Sequence, residues 1–257
     1  MERIKLATPL FILREACAKD LFGVLDRLQG LGFDGCELLG FFGHEPEAIA
    51  RHLRGANWVA MGNHVPFAEF DADFSKVLGD HKTIGCEYIT IQLPKECMPD
   101  GEAYQTATEK IQRWAEALKA QGMGLLFHNH AGEFYPVEGG NALTKLMADA
   151  PALQLEPDIG WMAIAGEDPA EYLKRYADRA PVLHFKDYYR APGADSFIFR
   201  PTGYGIAQFP ALMELSLGCN PKWIVADHDD AYENDTYREL DMSLSYIREL
   251  IALHRGA

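Results

Sequence analysis

The chain is short of paired cysteines, of positive charge and of long apolar runs. Its five cysteines, Cys17, Cys36, Cys86, Cys97 and Cys219, are odd in number, and no CxxC or Cys/His finger spacing occurs. That argues against a disulfide framework and a structural zinc site, and it suits a reducing compartment. Cys36 and Cys86 lie inside apolar runs and read as small core residues. Lys and Arg number 24 against 38 Asp and Glu, a net charge of −14. Such a surface repels phosphate backbones and anionic membranes, so neither nucleic acid nor a membrane is expected as a partner. In the opening stretch MERIKLATPLFILREACAKD the apolar run is broken by Pro9 and Arg14. It is too short to span a bilayer and has no clean cleavage site, and a cytoplasmic location is expected. Low-complexity segments and polar linkers are missing as well.

What is there is ordinary globular composition. Hydrophobic residues make up 48%, charged residues 24% and aromatics 11% of 257 residues, enough to bury a large core. Short apolar runs recur at residues 4–7, 35–39, 58–61, 88–91, 124–127, 153–155, 181–185 and 223–226. Between them lie amphipathic segments at 20–29, 45–53, 74–84, 102–120, 141–149, 168–176, 206–217 and 236–254. In one of these, Ile111, Trp114, Ala115 and Leu118 fall at helical spacing among charged residues. Asp168-Pro169 reads as an N-cap followed by proline at the first helical position. Alternation of strand and helix predicts a parallel sheet with crossover helices. Eight units of about 32 residues predict one α/β domain over residues 1–257, a single (β/α)8 TIM barrel. An open doubly wound sheet is the alternative, but neither GxGxxG nor GxxxxGK[ST] follows an early strand.

Barrel enzymes draw their functional groups from the C-terminal ends of the strands. Here those ends carry Glu37, His64, Gln92, the pair His128 and His130 with Glu133 shortly after, Asp158 with Trp161, His184 with Lys186, and Asp227. Singly each is an ordinary loop or cap residue. Together, the last four strand ends converge carboxylates and imidazoles, a costly burial unless a cation joins them. The mixed oxygen and nitrogen donors suit Mn, Mg, Co or Zn. His128 and His130 share strand parity, so one would ligate and the other would meet substrate. Lys186 and Arg190 are cationic donors for a substrate hydroxyl, carboxylate or phosphate.

At these residues the sequence resembles the xylose isomerase-like TIM barrels, which include sugar phosphate isomerases/epimerases and inosose dehydratases. GFDGCEL resembles the family's second-strand motif, FHNHAGEF its YHNHDFEF stretch, LEPDIGWMAIAGEDP its D-x-x-W…AG-x-DP segment, LHFKD its H-x-KD motif and WIVADHD its WIVVEQD strand. The resemblance implies metal ligands at Asp158, His184, Asp227 and one fifth-strand group. His128, His130 and Glu133 compete for that place, where the ketohexose 3-epimerase branch has glutamate; His130 is taken as the ligand. Asp227 stands where a glutamate is usual, Trp161 where that branch has histidine, and Arg190 matches its arginine six residues after the metal histidine.

The activity implied is divalent-metal-dependent isomerisation or epimerisation of a sugar or keto-sugar. Glu133, His128 and Asp227 would move protons. Glu37, His64, Trp161, Lys186 and Arg190 would bind substrate. A lyase or dehydratase acting on a keto-inositol or 3-keto-glycoside would use the same parts. A multi-zinc endonuclease shares the fold but needs more histidines and meets the wrong charge. A non-catalytic sugar-binding barrel is the remaining rival, since fold does not fix function. The sequence leaves a homo-oligomer open.

Overall fold

The computed structural model describes residues 3–231 and 235–255. The elements run β1 (Lys5–Pro9), α1 (Arg14–Leu31), β2 (Gly35–Leu39), α2 (Pro46–Ala56), β3 (Val59–Pro66), α3 (Phe67–Ile84), β4 (Tyr88–Gln92), α4 (Tyr104–Ala120) and β5 (Gly124–His128). They continue with the two-residue strands β6 (Pro136–Val137) and β7 (Gly140–Asn141), then α5 (Ala142–Asp149), β8 (Gln154–Glu156), α6 (Ile159–Ile164) and α7 (Pro169–Arg175). The last are β9 (Val182–Tyr189), β10 (Ile198–Arg200), α8 (Phe209–Gly218), β11 (Trp223–Asp227) and α9 (Thr236–Arg255). No helix among the described residues is long and apolar enough to cross a membrane.

The main sheet has the order β10-β9-β11-β1-β2-β3-β4-β5-β8. All its pairings are parallel except β10 on β9. The sheet curls until its far ends meet. Asp158, just past β8, forms a parallel bridge with His184 of β9, and the His184 N–H donates to the Pro157 carbonyl at 3.0 Å. The result is a mostly parallel sheet closed into a β/α barrel. Each apolar run expected to be a strand is one. The alternation is not a strict eightfold repeat, however. A β6–β7 hairpin precedes α5, the short α6 is added before α7, and β10 folds back antiparallel on β9. Two strands also run longer than expected. β3 continues to Pro66 and β9 to Tyr189, which puts His64 and Lys186 inside strands rather than in loops.

Local chemistry accounts for the helix ends. Asp168 accepts from the Ala170 N–H at 2.9 Å with Pro169 in the first turn of α7, the cap expected from sequence. Asn141 and Thr144 exchange a reciprocal capping box at the start of α5. Gly32, at φ 100°, closes α1 in the left-handed conformation that glycine tolerates best. On α4, Ile111, Ala115 and Leu118 turn inward, and Trp114 packs half-buried against Phe67 and Phe70.

Strand alternation decides what fills the barrel. Ala7, Met61, Tyr88, Leu126, Val182, Trp223 and Val225 form an apolar plug toward the N-terminal ends of the strands. Two-residue steps then lead from the plug to polar groups on the same face: Val182 to His184 and Lys186, Val225 to Asp227, Leu126 to His128. The plug is therefore the floor on which the site stands. Leu126 is fully buried there. Leu126→Ala is expected to cost about 2–5 kcal/mol, by lost transfer energy and the cavity left behind. It should read as a lower urea midpoint at unchanged slope; an unchanged midpoint would show that the plug does not set stability.

Candidate functional site

The polar groups lie in two tiers. In the lower tier, Glu37 of β2, Thr90 of β4 and Glu156 of β8 are fully buried. The Thr90 hydroxyl is 3.2 Å from Glu37 Oε1 and 3.0 Å from Glu156 Oε2. A hydroxyl has one proton to give, so Thr90 donates to one of the two carboxylates at a time. The two carboxylates differ in their electrostatics. Burial, then the Glu37 charge, pushes the Glu156 carboxyl up. Burial also works against ionised Glu37, but His64 and His184 overcome it and hold that carboxyl below the usual range. His64 Nε2 lies 3.1 Å from Glu37 Oε2. Burial opposes charging His64, yet Glu37 wins and its pKa rises.

His184 joins the tiers. Its Nε2 is 3.3 Å from Glu37 Oε2 and 3.2 Å from Glu156 Oε1, while its Nδ1 is 2.9 Å from Asp227 Oδ2. Burial disfavours its charge, but Glu156 and Asp227 outweigh that and raise its pKa well above the ordinary value. In the upper tier the Lys186 ammonium, 2% exposed, sits 2.6 Å from Asp229, 3.1 Å from Asp227 and 3.4 Å from Asp158. Burial alone would neutralise this lysine, and the three carboxylates keep it charged. Burial raises Asp158 to about 6 against the pull of Lys186. It works the same way on Asp227, where Lys186 and His184 prevail and the carboxyl is lowered.

His128 completes the cluster. Its Nε2 is 3.6 Å from Asp158 Oδ2, and burial, reinforced by His184, drives its pKa well below the usual value. It is therefore a neutral imidazole, the form that ligates metals. One donor atom from each of His128, Asp158, His184 and Asp227 lies within 4.8 Å of the others, and all four residues are buried. In this cluster Asp158 Oδ2 and Asp227 Oδ1 are buried and make no well-formed hydrogen bond. Buried orphans of this kind are rare unless an ion or a reaction uses them, so the residues present fit a divalent cation. A metal-bound histidine usually gives its second ring nitrogen to a carboxylate. His184 has that arrangement, with Glu37 and Glu156 behind it and Asp227 in front.

Backbone details fix the rim. Asn129 Oδ1 accepts from the Asp158 N–H at 3.0 Å, and Asp158 Oδ1 accepts from the Trp161 N–H at 2.9 Å, capping α6. At Gly160 any Cβ would collide with the Lys186 carbonyl, so glycine lets α6 close on β9. Asp187 accepts backbone N–H groups from Tyr188, Gly203, Gly205 and Ala207 at 2.8–3.0 Å, tying the 203–207 loop to β9.

The structure brings together Asp158, His184, Asp227 and Lys186 as the sequence suggested, with His64 beside them. It puts His128, not His130, in the four-residue cluster, because strand parity turns His128 inward while β5 ends there. His130 lies on the cavity rim with its side chain 54% exposed. Glu133 Oε2 accepts from the His130 N–H at 2.7 Å in a one-turn capping box and does not line the cavity. Glu37 sits beneath the cavity, where substrate does not reach. Trp161 is half-buried, with the Lys186 ammonium 5.3 Å from its ring, and does not line the cavity. Arg190 lies outside the cavity, near the Tyr188 and Phe197 rings. Glu156 and Asp229 also belong to the site, with no sequence motif of their own to mark them. Each lies two residues from a ligand candidate, so strand parity alone was the signal available.

The sequence profile of the xylose isomerase-like TIM barrel family matches residues 25–240. An inosose dehydratase from Geobacillus kaustophilus is 35% identical over 194 residues, covering 64% of this chain and 61% of that one. The chain spans about three fifths of the length of the inosose dehydratases it matches first. Among solved structures, a sugar phosphate isomerase/epimerase from Parabacteroides distasonis superposes with TM-score 0.76 at 17% identity, covering 96% of both chains. A xylose isomerase-like TIM barrel protein from Mycobacterium smegmatis, in complex with magnesium, gives TM-score 0.70 at 14% identity, again over 96% of both. At such identities these structures speak to fold.

The cluster makes a prediction about metal content. Protein loaded with Mn²⁺ and desalted should retain about one ion per chain in the native sequence and in His130→Ala. His128→Ala and Asp227→Asn should retain far less by elemental analysis. Full retention in His128→Ala, with loss in His130→Ala, would move the fifth-strand ligand to the rim.

Proposed function

Because the chain belongs to the xylose isomerase-like TIM barrel family, we propose that it is a divalent-metal-dependent isomerase or epimerase of a sugar or keto-sugar. One observation carries this reading: His128, His184 and Asp227 of the four-residue cluster line a single cavity at the C-terminal end of the strands together with the buried Lys186 ammonium and the partly exposed Asp229 carboxylate. Magnesium in the Mycobacterium smegmatis structure and the isomerase/epimerase fold relative are in keeping with it.

His128, Asp158, His184 and Asp227 would hold the cation, which when bound supplies Lewis-acid polarisation of a substrate carbonyl. Lys186 donates to a substrate oxygen and faces the negative charge that develops when the α-proton leaves. Its position is fixed by three carboxylates, so little reorganisation is needed. Asp229 is the proton acceptor. Burial raises its carboxyl, Lys186 opposes that shift and Asp227 adds to it, so it stands closer to neutral pH than a free carboxylate. His130, across the rim, is the second proton carrier. Glu133, held by the His130 N–H, orients the loop that carries His130.

A second reading has its own support. The Geobacillus kaustophilus relative is an inosose dehydratase. A dehydratase would begin with the same α-proton removal and then expel a β-hydroxyl as water instead of reprotonating carbon. Incubation of candidate keto-sugars and a keto-inositol in D₂O separates the two. An isomerase yields products of unchanged formula carrying deuterium; a dehydratase yields an unsaturated ketone with ultraviolet absorbance.

Asp229→Asn should lower α-proton exchange by roughly two to four orders of magnitude while metal content stays at the native level. Glu133→Gln should stay within about tenfold of native, as expected when a cap rather than a base is altered. Near-native exchange in Asp229→Asn would contradict the assignment of the base, and collapse in Glu133→Gln would move it to Glu133.

A further inference from the structure

The cavity over the metal cluster is small, about 110 Å³, below the roughly 300–1,000 Å³ usual for small-molecule sites. It does not end there. A second cavity of about 560 Å³ opens beside it, between the β2–α2 loop and α3, and the two share Leu39, His64 and Gln92 as a common wall. The two cavities are therefore neighbours, parted by the His64, Leu39 and Gln92 side chains.

The outer cavity is built rather than left over. Its wall contains Asn63 and His81, which are 1% and 2% exposed, and buried polar groups are costly unless fully bonded. These are bonded in a chain across three elements. His81 Nδ1 donates to the Val77 carbonyl at 2.6 Å, Asn63 Nδ2 donates to His81 Nε2 at 2.9 Å, and Asn63 Oδ1 accepts from the Gly40 N–H at 2.8 Å. Burial lowers the His81 pKa, consistent with the neutral tautomer this chain requires. The loop end of the chain is shaped by left-handed residues: Gly40 at φ 68°, Phe42 at φ 51° and Gly43 at φ 80°. On the helix side α3 breaks at Asp73, whose carboxylate caps the second half through the Lys76 N–H at 2.9 Å.

The lining selects by charge. Phe41, Val65 and Val77 give apolar walls, while Glu69, Asp73 and Asp80 line the space with Lys76, and His64, paired with Glu37, stands at the boundary with the inner cavity. Lys76 is already paired with Asp80 at 2.5 Å. A phosphate would meet uncompensated carboxylates here; a hydroxylated or aromatic ring would not.

We propose that the outer cavity is a second-ring subsite, so that the substrate is a glycoside-like keto-sugar carrying an uncharged second ring, and not a sugar phosphate. The inference rests on the inner cavity being the reaction site proposed above. It assigns the outer cavity a binding role that requires no chemistry.

Binding and turnover test it separately. By titration calorimetry, phenyl β-D-glucoside should bind the native chain at least about tenfold more tightly than glucose, with glucose 6-phosphate weakest. Ala72 is exposed on α3 and lines the outer cavity. Ala72→Trp should bring phenyl glucoside down to the level of glucose with metal content and glucose affinity unchanged. Glu69→Lys should selectively strengthen glucose 6-phosphate. Equal affinity for the glucoside and glucose, tighter native binding of the phosphate, or equal losses for glucose and the glucoside in Ala72→Trp would each overturn the subsite. Exchange of the α-proton of 3-keto-glucose and its phenyl glycoside in D₂O reads the chemistry. Selective binding without exchange leaves the subsite standing and removes the isomerase reading. Exchange of both at equal efficiency, without selective binding, does the reverse.

Discussion

His184 is held at both ring nitrogens, and the site depends on that. Asp227 meets Nδ1 from the upper tier; Glu37 and Glu156 meet Nε2 from the lower. Burying so many charges would be unfavourable if any were left alone. Each carboxylate in the site therefore has an imidazole, an ammonium or a hydroxyl within reach. The same contacts fix the ring of His184 in one orientation, because rotating it would break the ion pairs on both sides. The closing bridge of the barrel passes through this residue as well, through Asp158 and the Pro157 carbonyl. Sheet closure and the geometry of the cluster are thus set by one stretch of β9.

The two tiers also divide labour. The lower carboxylates are sealed from the cavity and act on it only through His64 and His184. The upper groups reach it directly. Lys186 belongs to both the charge balance and the proposed chemistry: its ammonium offsets Asp158, Asp227 and Asp229 while its end lies at the cavity. On one side α6 closes against β9 at Gly160, and on the other the Asp187 carboxylate gathers the 203–207 loop. Toward α3 the larger cavity lies next to the inner one, with Leu39, His64 and Gln92 lining both.

The barrel was legible because hydrophobic runs and helical stripes report burial directly, and each expected strand formed. The convergence of Asp158, His184 and Asp227 was legible for the same reason, since strand ends in this fold share one face. Other features were not. Whether His128 or His130 turns inward depends on where β5 stops, a matter of one or two residues that periodicity does not resolve. Glu133 sits near the histidine pair in sequence, but a single 3-10 turn bends its carboxylate back onto the His130 N–H. Glu156 and Asp229 gain their roles only from cross-barrel neighbours, which sequence spacing does not show. The α6 insertion, the β6–β7 hairpin and the returning β10 arise in connecting segments, where composition gives few constraints.

The central claim is that His128, Asp158, His184 and Asp227 form one cation site backed by Glu37 and Glu156. Crystals of the protein soaked in Mn²⁺, with anomalous diffraction collected at the manganese edge, test it most directly. The account predicts a single strong peak among those four side chains, with Glu37 and Glu156 uncoordinated beneath His184. A peak held instead by His130 and Glu133, or no peak in a well-ordered site at saturating Mn²⁺, would contradict it.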